Sequence, residues 1–277
     1  MSFGAIAGDY DRLRPPPPEV AVDWLLPAAP KVAVDLGAGT GLLSRALARR
    51  VPRVVAVEPD ERMAAVLLAR DPVIEVAPGR GEAIPLPEAS ADGVFVSSAW
   101  HWMDPERTVP EIARVLRDGG RFGVIWTSRD QEVDWVRELN RLREPDRLRE
   151  PDRLREPDRL REPDRHREPG RHREPGRPAE PGGPDEQGRP RNRAVTLPDG
   201  SPFGRPETAS FAFRRVMTIS DAVAMLGTYS GIITASPQDR AEALARLRAA
   251  LERWFPGADE IEVPMRSVCW RADRTAR

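Results

Sequence analysis

The stretch Val32-Ala33-Val34-Asp35-Leu36-Gly37-Ala38-Gly39-Thr40-Gly41-Leu42-Leu43 constrains the fold more than any other part of the chain. A β-prone run ends in an acid, glycines follow at alternate positions, and Leu42, Leu43, Ala46 and Leu47 then recur at helical spacing. A strand, a tight turn and a helix in that order open an α/β fold built on a parallel sheet. A dinucleotide loop needs G-x-G-x-x-G with a small third residue. Leu42 stands at that place here, and no Gly-Lys-Ser/Thr follows for a triphosphate. What Gly37, Ala38, Gly39 and Gly41 offer is nearly bare backbone, against which a ligand lies closely and whose N–H groups take a small carboxylate. Asp35 is placed to face a ligand ammonium group. Seventeen residues past Gly41, the strand Arg53–Val57 ends in Glu58, a carboxylate positioned to accept the hydroxyls of a ribose. These residues point to a nucleoside with an amino-acid-like tail and no phosphate.

Composition narrows the remaining choices. The chain has 277 residues with 30 prolines and 31% charged side chains, too many for an uninterrupted core. From Arg143 a six-residue unit, Arg-Glu-Pro-Asp-Arg-Leu, repeats and decays into Gly-Pro-rich sequence. Proline once per unit removes a helix donor each time, so residues 143–195 are expected to be a disordered or polyproline-like insert. The insert's His166 and His172 lack the rigid backbone of a metal site, and no metal is expected. The single cysteine, Cys269, and the absence of an apolar leader or a membrane-length apolar run suggest a cytoplasmic protein with no membrane association. A net charge of −1 argues against nucleic acid as a partner.

Further elements follow by periodicity. An apolar helix is expected around Val20 to Leu26, a helix over Asp60–Arg70, a third strand over Val73–Ala77, and a fourth from Ala91 through Ala99 that runs into Trp100-His101-Trp102. A helix is expected over Asp104–Arg117 and a fifth strand over Arg121–Trp126. Beyond the insert come a strand at Thr208–Phe213, a helix at Thr218–Tyr229, a Ser236-Pro237-capped helix and a last strand over Ile261–Trp270.

The Asp35-to-Gly41 segment with Glu58 resembles the class I S-adenosylmethionine-dependent methyltransferases, in particular the small-molecule, type 11-like enzymes. Their first motif is (Asp/Glu)-x-Gly-x-Gly-x-Gly and their second is an acid ending the next strand. The resemblance implies an α/β, Rossmann-like sheet of seven strands in the order 3-2-1-4-5-7-6, with S-adenosylmethionine as cofactor. It implies an N-terminal arm (1–31), a cofactor-binding core (32–142), and C-terminal strands with a helical cap (196–277). Tyr10 and Arg14 match arm residues that fold over the cofactor, Arg14 suiting its carboxylate. Pro59 follows the ribose acid, Met63 falls where a side chain lies under the adenine, and Gly81 and Glu82 fall on the turn that walls it, Gly81 replacing the usual Ala. Ser97, near the end of the fourth strand, is a further cofactor-binding candidate. Ala99-Trp100-His101-Trp102-Met103-Asp104 matches a family sub-pattern Ala-x-His-Trp-Phe-Asp. His101 is thereby a candidate proton acceptor. Trp100, Trp102 and Tyr229 are candidate walls of the acceptor pocket. The Asn/Asp-Pro-Pro-aromatic turn of nucleic-acid and protein amine methyltransferases is absent, which favours a small-molecule oxygen or carbon acceptor, carboxylates included. A monomer or weak homodimer is expected. An NAD-dependent oxidoreductase and a non-enzymatic interaction protein on the same fold stay open as alternatives.

Overall fold

The computed structural model describes residues 6–142, 195–233 and 235–276. The insert expected at 143–195 lies outside them, apart from Val195.

The strands are β1 (Val32–Leu36), β2 (Arg53–Val57), β3 (Glu75–Ala77), β4 (Ala91–Ser97), β5 (Leu116–Arg129), β6 (Glu207–Thr218) and β7 (Glu260–Asp273). They form one seven-stranded sheet in the order β3-β2-β1-β4-β5-β7-β6, as the resemblance implies. The first five pair in parallel, and β7 inserts antiparallel between β5 and β6. Helices α1 (Ala7–Leu13), α2 (Glu19–Leu25), α3 (Leu42–Ala48), α4 (Glu61–Arg70), α5 (Pro105–Val115), α6 (Asp134–Leu142), α7 (Ile219–Gly227), α8 (Ser230–Ile233) and α9 (Pro237–Trp254) complete the described elements.

Alternation along the strands sends even and odd positions to opposite faces of the sheet. Val34, Val55, Val94, Phe122 and Trp270 pack with Val109 and Ile112 of α5 on one face. Ala33, Val54, Phe95 and Cys269 pack with α2 and α3 on the other. A third apolar cluster joins α7 and α9 to the far ends of β6 and β7, and includes Leu13 of α1.

Several boundaries differ from the sequence expectation. The helix α5 stops at Val115 and Leu116 already begins β5, which pairs there with Ala91 before the Gly119-Gly120 turn. Strand β6 runs to Thr218 because β7 supplies a partner at every residue from Glu207 onward. Helices α1 and α6 have no sequence counterpart above. The first buries Ala7, Asp11 and Leu13, and the second buries Val136 and Leu139, so tertiary contacts support both.

Phe95 locks the centre of the sheet. Its ring fills space left by glycines on its own strand and the next: a Cβ on Gly93 would lie 2.5 Å from the ring, and one on Gly123, its register partner, 2.9 Å. Phe95→Ala is therefore expected to lower stability by about 3–5 kcal/mol, read from urea unfolding. A cost under 1 kcal/mol would show that the glycines do not shape a tight socket.

Candidate functional site

The loop between β1 and α3 is built by backbone conformation. Gly37, Gly39 and Gly41 have φ of +70°, +58° and +84°, a region that L side chains rarely enter. The Val57 carbonyl at the end of β2 accepts from Gly37 N–H (2.8 Å) and Ala38 N–H (3.2 Å). A Cβ on Gly37 would reach Ala99 at 2.8 Å, and one on Gly41 would reach Leu67 at 2.5 Å. Thus the glycines at 37 and 41 let the loop close on β4's end and on α4. At Gly39 a Cβ would meet only Met63 Cε, at 3.4 Å, so glycine there leaves a cradle above the methionine.

Glu58 sits beside this loop, 8% exposed. One carboxylate oxygen accepts from Gly39 N–H at 2.7 Å and the other from Asp60 N–H at 2.9 Å. Burial raises its pKa above the ordinary value, against the pull of those two backbone bonds. Each oxygen keeps a further lone pair for a ligand hydroxyl. Pro59 is exposed at the strand's end, and Met63 is buried beneath the loop.

Asp35 corrects one expectation. Its side chain is fully buried on the α3 face, with one oxygen accepting from Ser44 Oγ at 2.6 Å and Oδ1 unbonded. The strand's alternation turns it toward α3, so it does not face a ligand ammonium across the cleft. Burial pushes its carboxyl up to about 7, opposed by the Ser44 bond and assisted by the negative charge of Glu58.

At the end of β4, Ser97 pairs with Ile125, and Ser98 is held at φ +54° with its N–H on the Ile125 carbonyl. A 3-10 turn over Trp100–Trp102 follows. The two tryptophans part company. Trp100 is 4% exposed and packs against Phe122, the ring centroids 5.3 Å apart and the planes tilted by 51°, so it belongs to the α5-side core. Trp102 is 66% exposed, its ring 4.8 Å from that of His101. His101 is exposed too, yet the protein mass on one side of its ring lowers its pKa, which favours the neutral, proton-accepting form. Gly81 packs against Thr108 and Met103, where a Cβ would fall at 2.9 and 3.1 Å, and this close approach explains glycine in place of alanine. Glu82 accepts from Asp104 N–H at 3.1 Å, tying that turn to the start of α5. Cys269 lies in the sheet core, where burial pushes its thiol up to about 12, and it offers no nucleophile.

The arm docks differently from the expectation. Arg14 Nε donates to Thr228 Oγ1 (2.9 Å) and Nη2 to the Thr228 carbonyl (3.0 Å). Its guanidinium lies 3.8 Å from the ring centre of Tyr229 and 5.1 Å from that of Tyr10. Tyr10 and Arg14 thus meet the cap at the end of α7, whose terminal carbonyl attracts the cation. The arm reaches the glycine loop through a residue without a sequence signal. Asp11 is buried and pairs with Arg45 at 2.5 Å and Arg70 at 3.3 Å, while Arg45 also donates to the Thr40 carbonyl. Also unforeseen is Arg129 at the end of β5, 4% exposed, 5.1 Å from the Tyr229 ring and bonded to Asn140 Oδ1.

The buried carboxyls make stability depend on pH. The folded pKa of Asp35 exceeds its unfolded value near 3.9, so the folded state holds the proton in between. That stabilisation is fully present below about pH 4 and is lost as pH rises to about 7, on the order of a few kcal/mol. Asp35→Asn is expected to flatten the unfolding free energy against wild type across that window, leaving the smaller slope of the same sign from Glu58. Parallel profiles for the two proteins would contradict this.

Residues 34–124 match the family described as a methyltransferase domain. Over 139 residues the chain is 52% identical to an uncharacterized methyltransferase of Mycobacterium tuberculosis, covering 50% of this chain and 57% of that protein. It is 35% identical over 133 residues to a malonyl-[acyl-carrier protein] O-methyltransferase of Methylococcus capsulatus, covering 44% and 48%. The chain therefore spans about half the length of the curated relatives it matches. Among solved structures, "a Putative Type II Methyltransferase from Anaeromyxobacter dehalogenans" is 26% identical with a TM-score of 0.63, covering 94% of this chain and 97% of that one. Residues 34–124 thus match a methyltransferase domain, and the chain is similar to methyltransferases in its sheet order and over about half of its length in sequence.

Proposed function

We propose that the chain transfers a methyl group from S-adenosylmethionine to an oxygen or carbon atom of a small molecule, with a carboxylic acid as the leading acceptor class. The observation that carries this reading is Glu58, held at the end of β2 by the N–H groups of Gly39 and Asp60, beside a loop stripped of side chains above Met63. When bound, the cofactor supplies an electrophilic methyl on a sulfonium. The remaining lone pairs of Glu58 would take its ribose hydroxyls, and the backbone of residues 37–41 would lie against its amino-acid tail. Met63 would lie under the adenine, Gly81 and Glu82 would wall it, and Ser97 at the end of β4 would border the cofactor. His101, neutral and at the mouth of the cleft, accepts a proton from an acceptor that carries one.

In-line displacement needs little covalent help. Positioning donor and acceptor about 3 Å apart and excluding water supplies most of the acceleration. The O-methyltransferase name of the Methylococcus relative supports an oxygen acceptor. We assign the methyl-transfer unit to residues 1–142 and 196–277, working in the cytoplasm as a monomer or weak dimer without metal. An NAD-dependent oxidoreductase is disfavoured by Leu42, whose side chain occupies the place of the third dinucleotide glycine.

Titration calorimetry with S-adenosylhomocysteine and with NAD tests the reading. The full chain is expected to bind the first and not the second, and Glu58→Gln to weaken the first at least tenfold. Binding of NAD alone would end the proposal. Removing residues 143–184 is expected to change S-adenosylhomocysteine affinity less than twofold; a large loss would make the insert part of the site.

A further inference from the structure

We propose that Asp11 is a positioning residue for the cofactor loop, acting through Arg45, so that docking of the arm and occupation of the loop strengthen each other. The inference rests on the methyl-transfer reading and adds what holds the loop in its binding shape.

The loop's weak point is the peptide between Thr40 and Gly41. Gly39 and Gly41 flank Thr40 at φ +58° and +84°, and glycine backbone turns into other conformations at little cost. The peptide is nevertheless held at both ends. Its N–H, on Gly41, donates to the Ala38 carbonyl at 2.9 Å, and its carbonyl, on Thr40, accepts from Arg45 Nη1 at 2.7 Å. The second bond comes from a side chain. Where Arg45 stands therefore decides whether the peptide keeps its orientation, and with it the curl that presents Gly39 N–H to Glu58.

Arg45 is fixed in turn by the arm. Its Nη2 donates to Asp11 Oδ1 at 2.5 Å, and Asp11 Oδ2 pairs with Arg70 Nε of α4 at 3.3 Å. Among the described residues no other acid pairs with Arg45 or Arg70. The Asp11 side chain is 6% exposed and that of Arg45 23%, so water and salt screen the pair little. Removing the carboxylate leaves two neighbouring guanidiniums without their shared acid, which releases Arg45 toward solvent and away from Thr40.

The opposite side of the arm is tied to the cap. Arg12 pairs with Asp221 at 2.7 Å, Leu13 enters the cap's apolar cluster, and Arg14 donates to Thr228 at 2.9 Å. An arm docked on the cap keeps Asp11 at the loop, and a loop shaped by its ligand keeps Arg45 at Asp11. Coupling of this kind is reciprocal: what the arm adds to ligand affinity, the ligand adds to arm docking.

S-adenosylhomocysteine is titrated into the full chain, and amide hydrogen exchange over residues 7–13 is followed with and without it. Asp11→Asn is expected to weaken binding at least fivefold and Asp11→Glu to restore part of the loss. In an Arg45→Gln background Asp11→Asn is expected to add less than twofold, whereas in an Arg70→Gln background it keeps most of its cost. The ligand is expected to slow exchange over residues 7–13 at least threefold in wild type and not in Arg45→Gln. A role confined to stability lowers the thermal midpoint of Asp11→Asn and leaves both the dependence on Arg45 and the exchange response unmoved. If wild type binds the ligand, an Asp11→Asn cost that is absent or equal with and without Arg45, or α1 exchange indifferent to the ligand, would overturn the inference alone. No binding of S-adenosylhomocysteine by wild type would remove the methyl-transfer reading and this inference with it.

Discussion

The molecule depends on how the turn after β1 is fastened to the end of β2. Val57 accepts two loop N–H groups through its carbonyl, and Glu58 accepts a third through its carboxylate. Those bonds form only if the loop curls through left-handed backbone at alternate positions, which glycine alone enters without strain. The same curl brings Gly37 against Ala99 and Gly41 against Leu67, so that β4's end and α4 share one wall. A side chain at either position would push those elements apart.

Around that turn the sheet divides its two faces cleanly. The α5 side carries an aromatic cluster in which Phe122 meets Trp100, Phe203 and Trp270 at tilted or edge-on angles, while the α2 and α3 side is mostly aliphatic around Phe95. Rigid packing on both faces leaves the carboxyl ends of the strands as the place where backbone is open, as expected for a parallel sheet. The arm then ties two regions together through neighbouring residues of one short helix and its end. Asp11 holds Arg45 and Arg70 beside the glycine loop, Arg12 holds Asp221, Leu13 enters the cap's apolar cluster, and Arg14 holds Thr228. Arg215 adds bonds to the carbonyls of Arg12 and Leu13, closing the arm onto β6.

Much of the architecture was legible in the chain because it rests on local signals. Strand alternation, the Ser236 cap, and Pro237 at the start of α9 all act within a few residues, and each appears as the pattern requires. Glu58 was legible for the same reason: a strand ending in an acid beside a glycine turn has few places to put its carboxylate. The errors share a different cause. Asp35 and Trp100 sit in motif-like contexts, but a side chain's destination at a strand end depends on which face the sheet covers there. Arg14 likewise carries a charge suited to a ligand, and its partner is decided by a residue 214 positions away.

The sequence by itself determined the strand-turn-helix opening, the glycine positions, the acid that ends β2 and the order of the strands along the chain, since propensity, period and backbone sterics operate over short spans. Only the tertiary structure decided that Asp35 turns toward Ser44, that Trp100 enters the core while Trp102 stays in solvent, and that Arg14 and Arg129 meet at Tyr229. Those outcomes come from contacts between distant segments, whose free energy depends on the packing of surfaces that no local pattern records.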